Sequence, residues 1–196
     1  GFRVPAIVRW PGEVAANSIS NEIMSHLDWV PTLMAAAGDT DIKTDLLDGH
    51  RAGGKTYKVH LDGYNFLPYL RGEVQEGPRK LFFYASDDGD LLAVRDGDWK
   101  LVFAEQRANR FDVWRDPFVQ LRIPKIFNLR QDPFERADTD SNMYNRWWDK
   151  KIAARGIPGA ILVRQFLASF QEFPPRQRPA SFTIDQEMER FREGAR

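Results

Sequence analysis

The chain has 196 residues, 42% of them hydrophobic, and its 28 Lys plus Arg balance 28 Asp plus Glu for a formal net charge of zero. That balance gives no long-range attraction to nucleic acid or anionic lipid, and no apolar run approaches the roughly 20 residues that span a bilayer. The absence of cysteine excludes disulfides, thiolate metal sites and a cysteine nucleophile within the chain, and leaves both reducing and oxidising compartments open.

Residues 6–10, bounded by Pro5 and by Pro11-Gly12, are predicted to form a short, largely apolar strand covered on both faces. Such a strand needs neighbours on either side, and nothing before it supplies them, so the chain is expected to open inside a larger fold. Residues 13–21 are polar and loop-like. A helix follows, with Asp28 as N-cap, Pro31 in its first turn and Gly38 just past its end. Residues 39–60 are rich in Asp, Gly and Lys and read as a long loop. Order returns with a turn at Asp62-Gly63 and a short helix over residues 65–70 that ends at Gly72.

The clearest sheet signal lies beyond residue 80. Residues 81–85, 91–95 and 99–104 predict a three-stranded antiparallel meander, with residues 86–90 as one turn and Asp96-Gly97 as a type I′ hairpin turn. In the third strand Trp99, Leu101 and Phe103 fall on one face, and Lys100, Val102 and Ala104 on the other. Residues 125–129 can add a fourth strand before Asp132-Pro133 breaks it. The remainder reads as helical. One helix over residues 142–154 is capped by Asp140 or Ser141, and a second over 159–172 carries Leu162, Phe166 and Phe170 and stops at Pro174-Pro175. Thr183 with Gln186 makes a capping box for a last short helix through Phe191.

Four stretches, in order, resemble one family. Gly1-Phe2-Arg3-Val4-Pro5-Ala6-Ile7-Val8-Arg9-Trp10-Pro11-Gly12 is similar to the E-G-G-x-R-x-P-x-[IV]-x-x-[WP]-P-G stretch of the type I, formylglycine-dependent sulfatases of the alkaline phosphatase superfamily. Asp28-Trp29-Val30-Pro31-Thr32-Leu33 resembles the family's D-x-x-P-T-L helix, and residues 62–72 its D-G-x-x-L-L-P-x-L-x-G segment. Residues 127–135 resemble F-N-L-x-x-D-P-x-E, the last strand and exit turn of the small antiparallel sheet in that family. The resemblance implies an α/β to α+β fold. Residues 1–38 would hold the last strand and helix of the large α/β domain, 39–80 a connecting loop with a short helix, and 81–196 a four-stranded antiparallel sheet with a helical tail.

It also implies that the complete enzyme hydrolyses a sulfate ester using formylglycine and a Ca²⁺ or Mg²⁺ ion. The nucleophile motif, the metal ligands and the general acid belong before Gly1 in the family, so no catalytic residue and no cofactor site is carried over, and the chain alone is expected to be inactive. Its expected partners are the N-terminal catalytic portion of the same protein and a sulfate ester. Nucleic acid and a membrane span are not expected. Cytoplasmic, periplasmic and secreted locations all stay open. A phosphonate or phosphate monoester hydrolase of the same superfamily is the second reading. A free-standing, non-catalytic module is the third, a homo-oligomer that buries residues 6–10 against a second copy.

The remaining candidates are local. Asp87-Asp88 suggests a cation pair, but its place between two strands reads as turn chemistry. His50 and His60 flank the Gly53-Gly54 loop, and His60 with Tyr57 or Lys58 is the candidate for a substrate rim. Trp114 and Trp147-Trp148 suggest an aromatic sugar platform; adjacent helical residues point about 100° apart, so at least one of the pair is expected to pack inward.

Overall fold

The structure, a computed structural model, describes residues 4–175 and residues 180, 181, 184, 188, 191 and 192. Gly1 to Arg3 and the Thr183–Gln186 capping box lie outside the described residues. The chain forms two compact units, residues 1–80 and 81–196.

In the first unit a 3₁₀ turn, His26–Asp28, runs into α1, Trp29–Ala36. Ser25 caps the turn: its hydroxyl accepts from the Leu27 N–H, and the Asp28 carboxylate reaches back to the Ser25 N–H at 2.7 Å. The helix ends at Ala37, and Gly38 follows with φ +101°, the left-handed conformation that suits glycine. Pro31, Thr32 and Ala35 are buried on one side of α1. A short α3, Leu67–Leu70, preceded by the fully buried Phe66, follows the 62–66 segment.

Three expectations for this unit are corrected. Residues 39–60 are not a long loop. They form α2, Ile42–Asp48, closed by Gly49 at φ +114°, and a hairpin of β1, His50–Ala52, with β2, Lys55–Tyr57. Gly53 and Gly54 both have positive φ, the requirement of a two-residue type I′ turn. Residues 4–10 form no strand, and Ile7 is 94% exposed. A strand exists only through a ladder with a neighbour, and the two-stranded sheet of this unit pairs β1 with β2 alone. Lastly, Asp28 does not cap α1 with its side chain, because that carboxylate is engaged elsewhere, as set out below.

The second unit is built on a four-stranded antiparallel sheet in the order β3-β4-β5-β6, comprising Leu81–Ala85, Leu91–Asp96, Trp99–Glu105 and Val119–Asn128. The β4–β5 turn sits one residue further on than expected: Asp96 pairs with Trp99, so the loop is Gly97-Asp98. Only Gly97 of the two has positive φ, the pattern of a II′ rather than a I′ turn. The alternation predicted for β5 holds. Trp99, Leu101 and Phe103 pack with Phe83, Val94 and Ile126 on one face, while Val102 and Ala104 join Tyr84, Leu92 and Ala93 on the other. Lys100 is held on that second face by Glu135, whose two carboxylate oxygens accept at 2.7 and 2.8 Å.

A short α4, Ala137–Asp140, leads to α5, Tyr144–Glu172. The two helices expected over 142–154 and 159–172 are therefore one, continuous through Pro158. Proline removes one helical hydrogen bond and clashes with the preceding turn, but tertiary packing straps the helix down on both sides of it. Trp147, Trp148 and Ile152 before it and Val163 after it pack on the Val94–Leu101–Ile126 core. Phe166 stacks on Phe83 with ring centroids 3.9 Å apart.

The same helix protects the sheet edge. β6 is an edge strand, and the Tyr144 hydroxyl accepts from the Ile126 N–H at 2.9 Å while donating to the Ile126 carbonyl at 3.0 Å. The Trp148 indole N–H donates to the Pro124 carbonyl at 2.9 Å. Unpaired edge groups are thereby satisfied, and Pro124 has no N–H to leave open. Tyr144→Phe is expected to destabilise this unit by about 1–3 kcal/mol, since it strips both partners from a residue with no solvent exposure. Faster hydrogen exchange of the Ile126 amide, with the rest of the sheet unchanged, is the readout.

Candidate functional site

The first unit is organised around one buried ion pair. Asp28 is fully buried and Arg79 is 5% exposed. The Arg79 guanidinium donates from Nε to Asp28 Oδ2 at 2.8 Å and from Nη2 to Asp28 Oδ1 at 2.6 Å, the two-pronged geometry that suits Arg and carboxylate. Asp28 accepts two further bonds, from the backbone N–H of Ser25 and of Tyr64, each at 2.7 Å. Such a charge survives burial only when it is this fully satisfied.

Together with two neighbours the pair fixes the backbone of residues 62–66. Arg79 Nη2 donates to the Asp62 carbonyl at 3.0 Å, Lys43 Nζ to the Gly63 carbonyl at 2.6 Å, and the Tyr64 N–H to Asp28. Thr32, one turn beyond Asp28, donates its hydroxyl to the Asp28 carbonyl at 2.6 Å and accepts the Phe66 N–H at 2.9 Å. Burial pushes the Lys43 ammonium below its ordinary pKa, with the Asp62 carboxylate opposing that shift. Both Lys43 and Arg79 also lie over the Tyr64 ring, at 4.9 and 4.7 Å from its centroid.

This fixed segment carries the sequence candidates at its edge. Tyr57 ends β2, opposite His50, and is 45% exposed. Lys58 and His60 are exposed on the chain that follows, which is tied down where the Val59 N–H donates to the Leu46 carbonyl at 2.9 Å. The His60 imidazole Nδ1 lies 3.2 Å from Asp62 Oδ1, and both side chains reach solvent. Tyr57, Lys58 and His60 thus share one solvent-facing stretch, and the structure adds Asp62 as the neighbour of His60. His50 is paired instead with Asp45, at 3.9 Å.

The Asp87-Asp88 turn is engaged with the chain itself. Asp88 accepts the backbone N–H of Ser181 at 2.6 Å and also the Ser181 hydroxyl, and those bonds hold its carboxyl below the usual range. The Ser86 hydroxyl accepts the N–H of Asp88 and of Asp90, closing the turn. Among the described residues no three His, Asp or Glu side chains gather into a metal-ligand set. Asp28, fully buried, has both oxygens committed to Arg79 and backbone amides, which leaves that carboxylate nothing to offer a divalent cation.

The fold of this chain, short helices in the first unit and a four-stranded antiparallel sheet under a long helix in the second, has a counterpart among known structures. The PsFucS1 sulfatase of Pseudoalteromonas sp. superposes with a TM-score of 0.57 at 20% identity, over 84% of this chain and 29% of that one. That likeness defines the fold. In sequence the chain is 31% identical to human arylsulfatase A over 145 residues and 34% identical to human arylsulfatase G over 139, each covering 69% of this chain. It is also 29% identical to human N-acetylgalactosamine-6-sulfatase over 154 residues. No family model matches the chain. The chain belongs to the sulfatase family. It spans about a quarter of the length of the arylsulfatases it matches.

Proposed function

We propose that the complete protein is a sulfuric ester hydrolase and that this chain is its C-terminal part, without catalytic chemistry of its own. On this reading residues 1–38 complete the large α/β domain. An N-terminal portion supplies formylglycine, a Ca²⁺ or Mg²⁺ ion and the general acid, and is the principal partner of the chain. The observation that carries the proposal is an uncovered apolar face in the first unit. Val30 and Leu33 are 51 and 61% exposed opposite the buried side of α1, Leu27 in the turn before it is 52% exposed, and elsewhere in the unit Ile7 and Ile19 are more than nine-tenths exposed. A soluble protein rarely leaves such a patch open. An N-terminal portion packed there would also supply the neighbours that residues 6–10 lack.

The 57–60 stretch is the part of the chain offered to substrate. His60, placed beside Asp62, can donate a hydrogen bond or a positive charge to a sulfate oxygen, with Tyr57 and Lys58 alongside. The test is hydrolysis of 4-nitrophenyl sulfate with added Ca²⁺. The chain alone is expected to show no turnover above a blank, and the chain continued by its N-terminal portion is expected to turn over. In that complete enzyme His60→Ala should lower kcat/KM about tenfold. Activity of the isolated chain would refute the division of labour. Faster turnover of the matching phosphate or phosphonate ester by the complete enzyme would move it to the sister hydrolases, and an unchanged kcat/KM in His60→Ala would remove the rim.

A further inference from the structure

The second unit contains a pocket of about 270 Å³ where the end of β6, the following turn and the α4–α5 junction meet. Its size sits near the lower end of the range for small-molecule sites, suited to a single ring rather than a larger ligand. One wall is aromatic: Phe127, Tyr144 and Trp147 line it, with centroids 6.0 Å apart for Phe127–Tyr144 and 5.8 Å for Tyr144–Trp147. The polar lining is uncharged apart from Asp132, and no Lys, Arg or His lines the pocket among the described residues.

The hydrogen-bonding capacity of that lining is only partly used. Asp132 is committed to the turn, where its two oxygens accept the N–H of Arg136 and of Ala137 at 3.0 and 2.8 Å. Asn128 uses its carbonyl oxygen on the N–H of Arg130 and Gln131, and Ser141 uses its oxygen to accept the Met143 N–H. Among the described residues the Asn128 amide N–H groups, the Gln131 carboxamide and the Ser141 hydroxyl proton have no side-chain partner. An anionic ligand would meet no cation here, and a cation would meet one carboxylate already engaged. A ligand that presents an apolar face to the aromatic wall and hydroxyls to the carboxamides fits both halves of the lining.

We propose that this pocket binds a neutral sugar ring, with Phe127, Tyr144 and Trp147 under its C–H face and Asn128, Gln131 and Ser141 on its hydroxyls. The site stands whether or not the sulfatase reading does. The test is an NMR titration of the full chain with methyl β-D-galactopyranoside and methyl β-D-glucopyranoside, following the Trp147 indole and Met143 methyl signals. At least one glycoside is expected to give saturable shifts with a Kd on the order of 1 mM. Gln131→Ala and Ser141→Ala, both at exposed positions, should each weaken binding about fivefold with sheet amide signals unchanged. The proposal is overturned by shifts that never saturate, by a Kd that both variants leave unmoved, or by equal binding of cyclohexylmethanol, which shares the apolar face and lacks the ring hydroxyls.

Discussion

Asp28→Ala is expected to destabilise the first unit by about 3–5 kcal/mol, the usual result of leaving one member of a buried ion pair without the other. The substitution removes four hydrogen bonds at once, two from Arg79 and one each from the N–H of Ser25 and Tyr64. The greater cost lies in what remains, a guanidinium that is 5% exposed and faces an empty space. The double variant Asp28→Leu with Arg79→Met should therefore be less destabilised than either single change, because it removes both charges rather than stranding one. Denaturant unfolding gives the global figure. Hydrogen exchange at the Tyr64 and Phe66 amides gives the local one, which matters because two units need not unfold together. A loss below about 1 kcal/mol for Asp28→Ala would mean that water replaces the carboxylate, and the pair would not be the fastening inferred here.

That pair also shows where sequence reading stops. In the local pattern Asp28 stands just before an apolar helix with a proline in its first turn, and the economical reading is an N-cap. Besides the nearby Ser25 N–H, its partners lie 36 and 51 residues away, at Tyr64 and Arg79. Arg79 follows Gly77-Pro78 in a stretch with no periodicity to draw attention to it. The β1–β2 hairpin was hidden for a different reason. Gly53-Gly54 is a turn signal, but His50-Arg51-Ala52 and Lys55-Thr56-Tyr57 carry no alternation of apolar and polar residues, because most of both strands is exposed. Residues 6–10 fail in the opposite direction: the apolar pattern is there and the pairing partner is not.

The meander is legible because its first two strands are short apolar runs, its third alternates, and each turn carries its own Gly-containing signal. The one-residue shift at Gly97-Asp98 reflects a choice between two turn types that Gly can serve equally. The break expected between residues 154 and 159 does not occur, because Trp147, Ile152 and Val163 hold the helix to the sheet on both sides of Pro158. The sulfate-ester reading rests on short motifs in order, and the second and third of them sit on the fixed framework of the first unit, whereas residues 4–10 of the first form no strand. Asp28 and Thr32 of the D-x-x-P-T-L stretch hold Tyr64 and Phe66 of the D-G segment. These two motifs mark the framework, while His60 and its neighbours lie between them.

Gly63→Ala is the sharpest test of that framework. A Cβ built at residue 63 would stand 2.0 Å from the Leu27 carbonyl oxygen, 2.7 Å from its carbon and 3.1 Å from Pro31 Cγ. The obstacle is backbone, so no rotamer change can relieve it. Neither side can readily retreat. Leu27 sits in the Ser25-capped turn, and the backbone at Asp62, Gly63 and Tyr64 is held by Arg79, Lys43 and Asp28 in succession. Admitting the methyl group means stretching several of those bonds together, and overpacking with the loss of buried hydrogen bonds sums to about 3 kcal/mol or more. Gly72→Ala is the matched control in the same unit. Gly72 has φ +76° but nothing within 4 Å of the added carbon, so it should show only the left-handed strain of about 1–2 kcal/mol. Gly63→Ala should unfold at markedly lower denaturant than Gly72→Ala and should release the Tyr64 and Phe66 amides to exchange. If the two variants are equally stable, the close approach of the 62–64 segment to the Leu27 carbonyl is not what holds this unit together.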